Sequence, residues 1–176
     1  AGAVTFAAVS SLDAASASAT NTGYTVGAAT TLGWTSGLMS GSLVTGVQPT
    51  GPLTFVVTPT QDHPVGATFT FTSSAAIWAA DAASTSCSIT GSPTLTCAVT
   101  ETKTILTCTV ATAPFVAAEA TIACTTNLGV NPAAGAVTFA AVSSLDAASA
   151  SGTNTGYTIA SCCTPLVWTS GLMAGS

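Results

Sequence analysis

Charge is what this sequence has least of. One Lys (Lys103), no Arg, one His (His63) and six acids are spread over 176 residues, giving 4% charged residues, a net charge of −5 and a pI near 4.1. An ordinary soluble domain carries roughly 25% charged residues. Without a basic surface the chain cannot neutralise a run of phosphates, which excludes nucleic-acid binding. Lys103 alone offers little to hold a phosphoryl group. Long apolar runs are missing too: Ala75 to Ala83, the most apolar stretch, is broken by Asp81, so no membrane span is expected. No Asn-x-Ser/Thr acceptor occurs, because Asn21 and Asn154 precede Thr-Gly, Asn127 precedes Leu-Gly and Asn131 precedes Pro. Any attached glycan is therefore O-linked. There is no Cys-x₂-Cys pair and no Asp-x-Asp run, which leaves zinc and calcium without a ligand set, and neither metal nor cofactor is expected.

What fills the chain is Gly, Ala, Ser and Thr, together more than half of it, within an overall 48% of apolar residues. That hydrophobicity, with so little net charge, is opposite to the composition of a disordered segment. It also means that charge repulsion cannot keep the molecule dispersed. Ser and Thr hydroxyls, glycosylated or bare, or else neighbouring subunits, must cover its surface. Six Cys in such a chain favour an oxidising, extracellular setting.

The strongest signal is an internal repeat. Gly2 to Val26 recurs as Gly135 to Ile159, differing only at Ala19/Gly152 and Val26/Ile159. After one inserted residue the copy resumes, Trp34 to Ser42 matching Trp168 to Ser176 apart from Ser40/Ala174, so the spacing moves from 133 to 134. A period of this length holds a whole domain.

Period-two alternation marks the strands. Thr68-Phe69-Thr70-Phe71-Thr72 sets both Phe on one face; Leu95, Cys97 and Val99, then Leu106, Cys108 and Val110, then Val137, Phe139 and Ala141 repeat the pattern. Turn chemistry separates them at Gln48-Pro-Thr-Gly-Pro52, Asp62-His-Pro-Val-Gly66, Gly91-Ser-Pro93 and Asn131-Pro132. The expected fold is all-β, an antiparallel sandwich in a tandem array. The complete repeat is placed at residues 33–160, with 1–32 as the last strands of a preceding repeat and 161–176 as the start of the following one.

Three stretches carry a family likeness: Leu53-Thr-Phe-Val-Val-Thr-Pro-Thr-Gln-Asp-His-Pro-Val-Gly66, the Thr68-to-Thr72 strand leading to Ala75-Ala-Ile-Trp78, and Asn131-Pro-Ala-Ala-Gly-Ala-Val-Thr-Phe139 with Thr155-Gly-Tyr157. This wording resembles tandem Ig-like β-sandwich repeats of large secreted surface proteins of algae and other protists. The resemblance implies a structural repeat of cell-surface or filament proteins and carries over no catalytic residue.

Cys87, Cys97, Cys108, Cys124, Cys162 and Cys163 allow fifteen pairings. Symmetry about Ser92 sets Cys87 opposite Cys97, and symmetry about Thr102-Lys103 sets Cys97 opposite Cys108, so Cys97 has two candidate partners. The reading favours Cys87–Cys97 and Cys108–Cys124. Loops of roughly ten to fifteen residues closed in this way stabilise by about 2–3 kcal/mol. Cys162 and Cys163 are adjacent and have no counterpart in the first copy, so each is expected to find a partner in another repeat or chain.

The remaining candidates read as structural. His63 sits in the turn Asp62-His63-Pro64, and a catalytic base would need a nucleophile and an orienting group converging on it. Asp13, Asp62, Asp81, Glu101, Glu119 and Asp146 are scattered, as turn and cap residues are. Trp34 and Trp168 occupy one repeat position, which suits packing between successive repeats. The expectation is therefore no enzyme, but a structural subunit of an extracellular filament or surface fibre. Its partners would be copies of itself, joined head to tail with strand exchange between repeats. The alternative is a cell-surface adhesin or carbohydrate-binding repeat module.

Overall fold

The structure is a computed structural model that describes residues 2–6, 21–26, 30–35, 42–79, 87–89, 93–124, 128–146 and 154–163. Among them there are only strands, turns and bridges. In chain order these are β1 (Gly2–Phe6), β2 (Asn21–Val26), β3 (Gly33–Thr35), β4 (Leu53–Thr58), β5 (Thr68–Ser73), β6 (Cys87–Ile89), β7 (Leu95–Val99), β8 (Ile105–Val110), β9 (Ala120–Cys124), β10 (Gly135–Ser143) and β11 (Asn154–Ile159).

Alternating Thr and large apolar residues produce this result because β-branched side chains suit a pleated surface with one wet face. In β4, Leu53, Phe55 and Val57 are buried; in β5, Phe69, Phe71 and Ser73; in β8, Leu106, Cys108 and Val110. Two antiparallel sheets result, one ordered β11-β10-β5-β8-β7 and the other β3-β4-β9-β6. Their inner faces share one core, as in a β-sandwich. Phe55 of the smaller sheet stacks on Phe71 at 4.1 Å and meets Phe139 edge-on at 5.3 Å, both from the larger sheet. Ile77 and Trp78 break the alternation, since both are buried; Trp78 bridges to Leu128.

Only β3–β4, β7–β8 and β10–β11 join sequence neighbours within these sheets. Every other consecutive pair from β4 to β10 crosses from one sheet to the other. Ahead of β3, Leu32 lies in the core, and Thr30 is hydrogen-bonded to Asp146. At the other end Ala160 forms a parallel bridge with Val44.

β1 and β2 form a third, two-stranded sheet. Its register runs Gly2↔Val26, Ala3↔Thr25, Val4↔Tyr24, Thr5↔Thr22 and Phe6↔Asn21, with a shift between Val4 and Thr5. The β10–β11 register is the same at each point, from Gly135↔Ile159 to Phe139↔Asn154, with the same shift between Val137 and Thr138. The repeated sequence thus makes the same bulged hairpin twice. On its second side β10 also pairs with β5, Ala140 opposite Thr72.

Candidate functional site

Three connections meet beneath one end of the core: the segment leading into β3, the loop between β4 and β5, and the turn after β10. Their polar side chains are buried together. His63 is 0% exposed, Asp146 1% and Ser143 also buried. His63 exchanges both backbone hydrogen bonds with Phe115 at 2.8 Å, and its ring stacks on Phe69 with centroids 4.7 Å apart. Its Nδ1 faces the Gln61 carbonyl at 2.8 Å, and its Nε2 faces Ser143 Oγ at 2.7 Å. A carbonyl can only accept, so Nδ1 carries a proton, and Nε2 and the Ser143 hydroxyl share the second hydrogen bond.

The Asp146 carboxylate accepts from Thr30 Oγ1 at 2.5 Å, from the Thr60 amide at 3.2 Å and from Thr60 Oγ1. Its nearest approach to His63 is 3.9 Å, at Nε2. Burial works against its charge, but the donors from Thr30 and Thr60, helped by the field of His63, hold the carboxyl below the usual aspartate value.

Ser143, His63 and Asp146 have the residue types of a nucleophile, a base and an orienting acid, and the Ser–His distance is within reach. The wiring differs from that machinery. The carboxylate lies on the same ring nitrogen as the serine, while Nδ1 is bound to a backbone carbonyl. Ser143 Oγ also accepts the amides of Asp146 at 2.7 Å and Leu145 at 3.2 Å. With His63 and Asp146 sealed from solvent, what the cluster can do is clasp three connections. The sequence places His63 in a turn; in the structure it is a buried bridge residue packed on Phe69. No local pattern announces this, because Phe115 lies 52 residues away in sequence and Ser143 80.

The disulfides correct the pairing expected from sequence. They are Cys87–Cys124, with Cα atoms 4.1 Å apart, and Cys97–Cys108, at 4.0 Å. Symmetry about Thr102-Lys103 holds, because β7 and β8 are a true hairpin that sets Cys97 opposite Cys108. Symmetry about Ser92 does not: between β6 and β7 the chain changes sheets, and β6 pairs with β9, Cys87 opposite Cys124. The sulfurs of Cys87, Cys97 and Cys108 lie within 4.8 Å of one another, so the two bridges are neighbours across the gap between the sheets. Two such bridges are the chemistry of an oxidising compartment.

Trp34, expected at a junction between repeats, is 8% exposed and packs in the sandwich core on β3. Trp168 and Asp13 lie outside the described residues. Trp78 is 1% exposed and backs an open concavity of about 400 Å³ that Lys103 and Gln48 also line. Lys103 occupies a left-handed turn conformation, φ 59°, at the tip of the β7–β8 hairpin. Cys162 and Cys163 are exposed and unbridged. Among the described residues no helix is long and apolar enough to cross a membrane. No protein-family model matches the chain, and no curated protein or solved structure is measurably similar to it.

Proposed function

We propose that the chain is a structural, non-catalytic subunit of an extracellular filament or surface fibre. It is built from near-identical tandem β-sandwich repeats of the Ig-like kind that its sequence resembles, stabilised by disulfides and O-glycosylated on its Ser and Thr. The observation that carries this reading is the hairpin made twice, 133 residues apart, with one register and one bulge. A unit that recurs in backbone geometry as well as in sequence presents the same surface at constant spacing. Contacts of that sort, made head to tail, propagate without closing.

The strand layout supplies a way for repeats to join. β10 is held between β11 and β5, whereas β1, its copy, has only β2 beside it among the described residues. A second copy that offers a strand to that side completes the arrangement by β-strand addition. The scarcity of charge fits the same picture, since few charges on the surface repel a like neighbour.

The carbohydrate-binding alternative asks for tryptophan faces at the surface. Trp34 and Trp78 are both in the core, which counts against it. Negative-stain microscopy of native material tests the proposal. A fibre with a regular axial repeat is expected, and dispersed particles without periodicity would overturn it.

A further inference from the structure

Cys162 and Cys163 are the two cysteines that the sandwich core does not use. The other four are joined in pairs inside it, so neither thiol has a partner left among the six cysteines of this sequence except the other. Both are exposed, and they stand two and three residues beyond a pinned point. The Ala160 amide donates to the Leu43 carbonyl at 2.7 Å, and the Ala160 carbonyl accepts from the Thr45 amide at 2.9 Å and from its hydroxyl at 3.1 Å. The thiols are thus mounted at the end of β11, which among the described residues is an edge strand of the larger sheet.

A bond between the two would close a small ring around one planar peptide, which strains the backbone. In the structure they remain thiols, with Cys162 hydrogen-bonded to Cys163, a contact that raises the Cys162 pKa. The matching segment of the first copy, between Val26 and Trp34, contains no Cys, so that copy has no thiol to meet the pair.

We propose that Cys162 and Cys163 are an interchain cross-linking site whose partner is the same pair of thiols on a second copy of this chain. Every copy carries both thiols in the same exposed place, and a two-fold contact needs only one kind of surface. The segment Ser161-Cys162-Cys163 bears no charged side chain to repel its like. A small-molecule disulfide, such as oxidised glutathione, is the oxidant. A cysteine thiolate attacks it, forming a mixed disulfide and releasing one small thiol. The thiolate of the second copy then attacks the protein sulfur and releases the other. Two protein thiols are oxidised and one small disulfide is reduced to two thiols.

This site does not rest on the filament reading, because a covalent pair forms whether or not copies also stack into a fibre. The test mixes ¹⁴N- and ¹⁵N-labelled full-length chain under a glutathione redox buffer, followed by non-reducing electrophoresis and mass mapping of the joined peptides. A covalent dimer is expected, lost on reduction, with hybrid-mass peptides that join residues 162 or 163 of two chains. The C162S/C163S double variant, altered only at exposed positions, is expected to keep both core disulfides and stay monomeric. A wild-type chain that stays monomeric, with these thiols free or bridged to each other, overturns the proposal. So does a dimer joined through any other cysteine.

Discussion

The ring of Phe139 lies over Gly156, so that a Cβ at position 156 would fall 2.2 Å from Phe139 Cε2 and 2.5 Å from Cδ2. That ring has nowhere easy to go. It meets Phe55 edge-on at 5.3 Å and sits 6.2 Å from Tyr157, inside the core where the two sheets join.

Gly156→Ala is therefore expected to destabilise the sandwich by about 1–3 kcal/mol, the usual cost of overfilling a packed site. Phe139→Leu in the same chain should recover part of the loss, because it removes the edge that the new methyl strikes. Denaturant unfolding of the two single variants and the double variant measures the coupling. Additive losses would show that the ring and the glycine do not constrain each other.

Stability should fall at both ends of the pH range. The Asp146 carboxyl is held below its usual value in the folded chain, so its contribution is complete above an unfolded value of about 3.9 and disappears as pH drops through the folded one. Asp146→Asn is expected to cost about 1–3 kcal/mol at pH 7, by disturbing the donors of Thr30 and Thr60, and to flatten the acid limb. At the other end, burial pushes the Tyr157 phenol upward, and its Oη has no hydrogen-bond partner among the described residues. Its contribution is complete below an unfolded value of about 10 and is lost as pH climbs beyond it. Tyr157→Phe should leave neutral-pH stability unchanged or improved and remove that alkaline loss. Unfolding midpoints measured from pH 2 to 12 check both limbs, and parallel curves for wild type and variants would contradict the assignment.

The core bridges should differ in worth. Cys87 and Cys124 are separated by 37 residues, Cys97 and Cys108 by 11. Taken singly, the chain-entropy account gives about 4 kcal/mol for the longer loop and about 3 kcal/mol for the shorter. Replacing the pair Cys87/Cys124 with Ala should lower the unfolding midpoint more than replacing Cys97/Cys108. Equal losses, or the reverse order, would mean that the unfolded chain does not set their value.

How much of this was legible in sequence depended on distance along the chain. Phe69, Phe71, Leu106, Cys108, Val137 and Phe139 alternate with Thr and Ala and go inward as expected, because each decision is made between adjacent residues on one strand. Cys97–Cys108 stands among the candidate pairings for the same reason, across one tight turn, although the sequence reading favours Cys87–Cys97 and Cys108–Cys124 over it. Cys87–Cys124 was not visible, since Gly91-Ser92-Pro93 reads equally as a hairpin or as a passage between sheets. The clasp of Thr30, His63, Ser143 and Asp146 was hidden altogether. The Thr30–Asp146 bond spans 116 positions, and Asp62-His63-Pro64 looks like a surface turn until Phe69 and Phe115 close over the ring. The bulge at Val137/Thr138 also left no mark in the alternation, although its recurrence at Val4/Thr5 follows from the repeated sequence.

Lys103 at the tip of β7–β8 has one more consequence. A trypsin-like protease, which cuts after basic residues, finds a single susceptible bond in the whole chain, half-buried in a tight turn. Cys97–Cys108 and Cys87–Cys124 both span that bond, so a nick there leaves two fragments still stapled together. A coat made of such modules would weather digestion at this bond without coming apart.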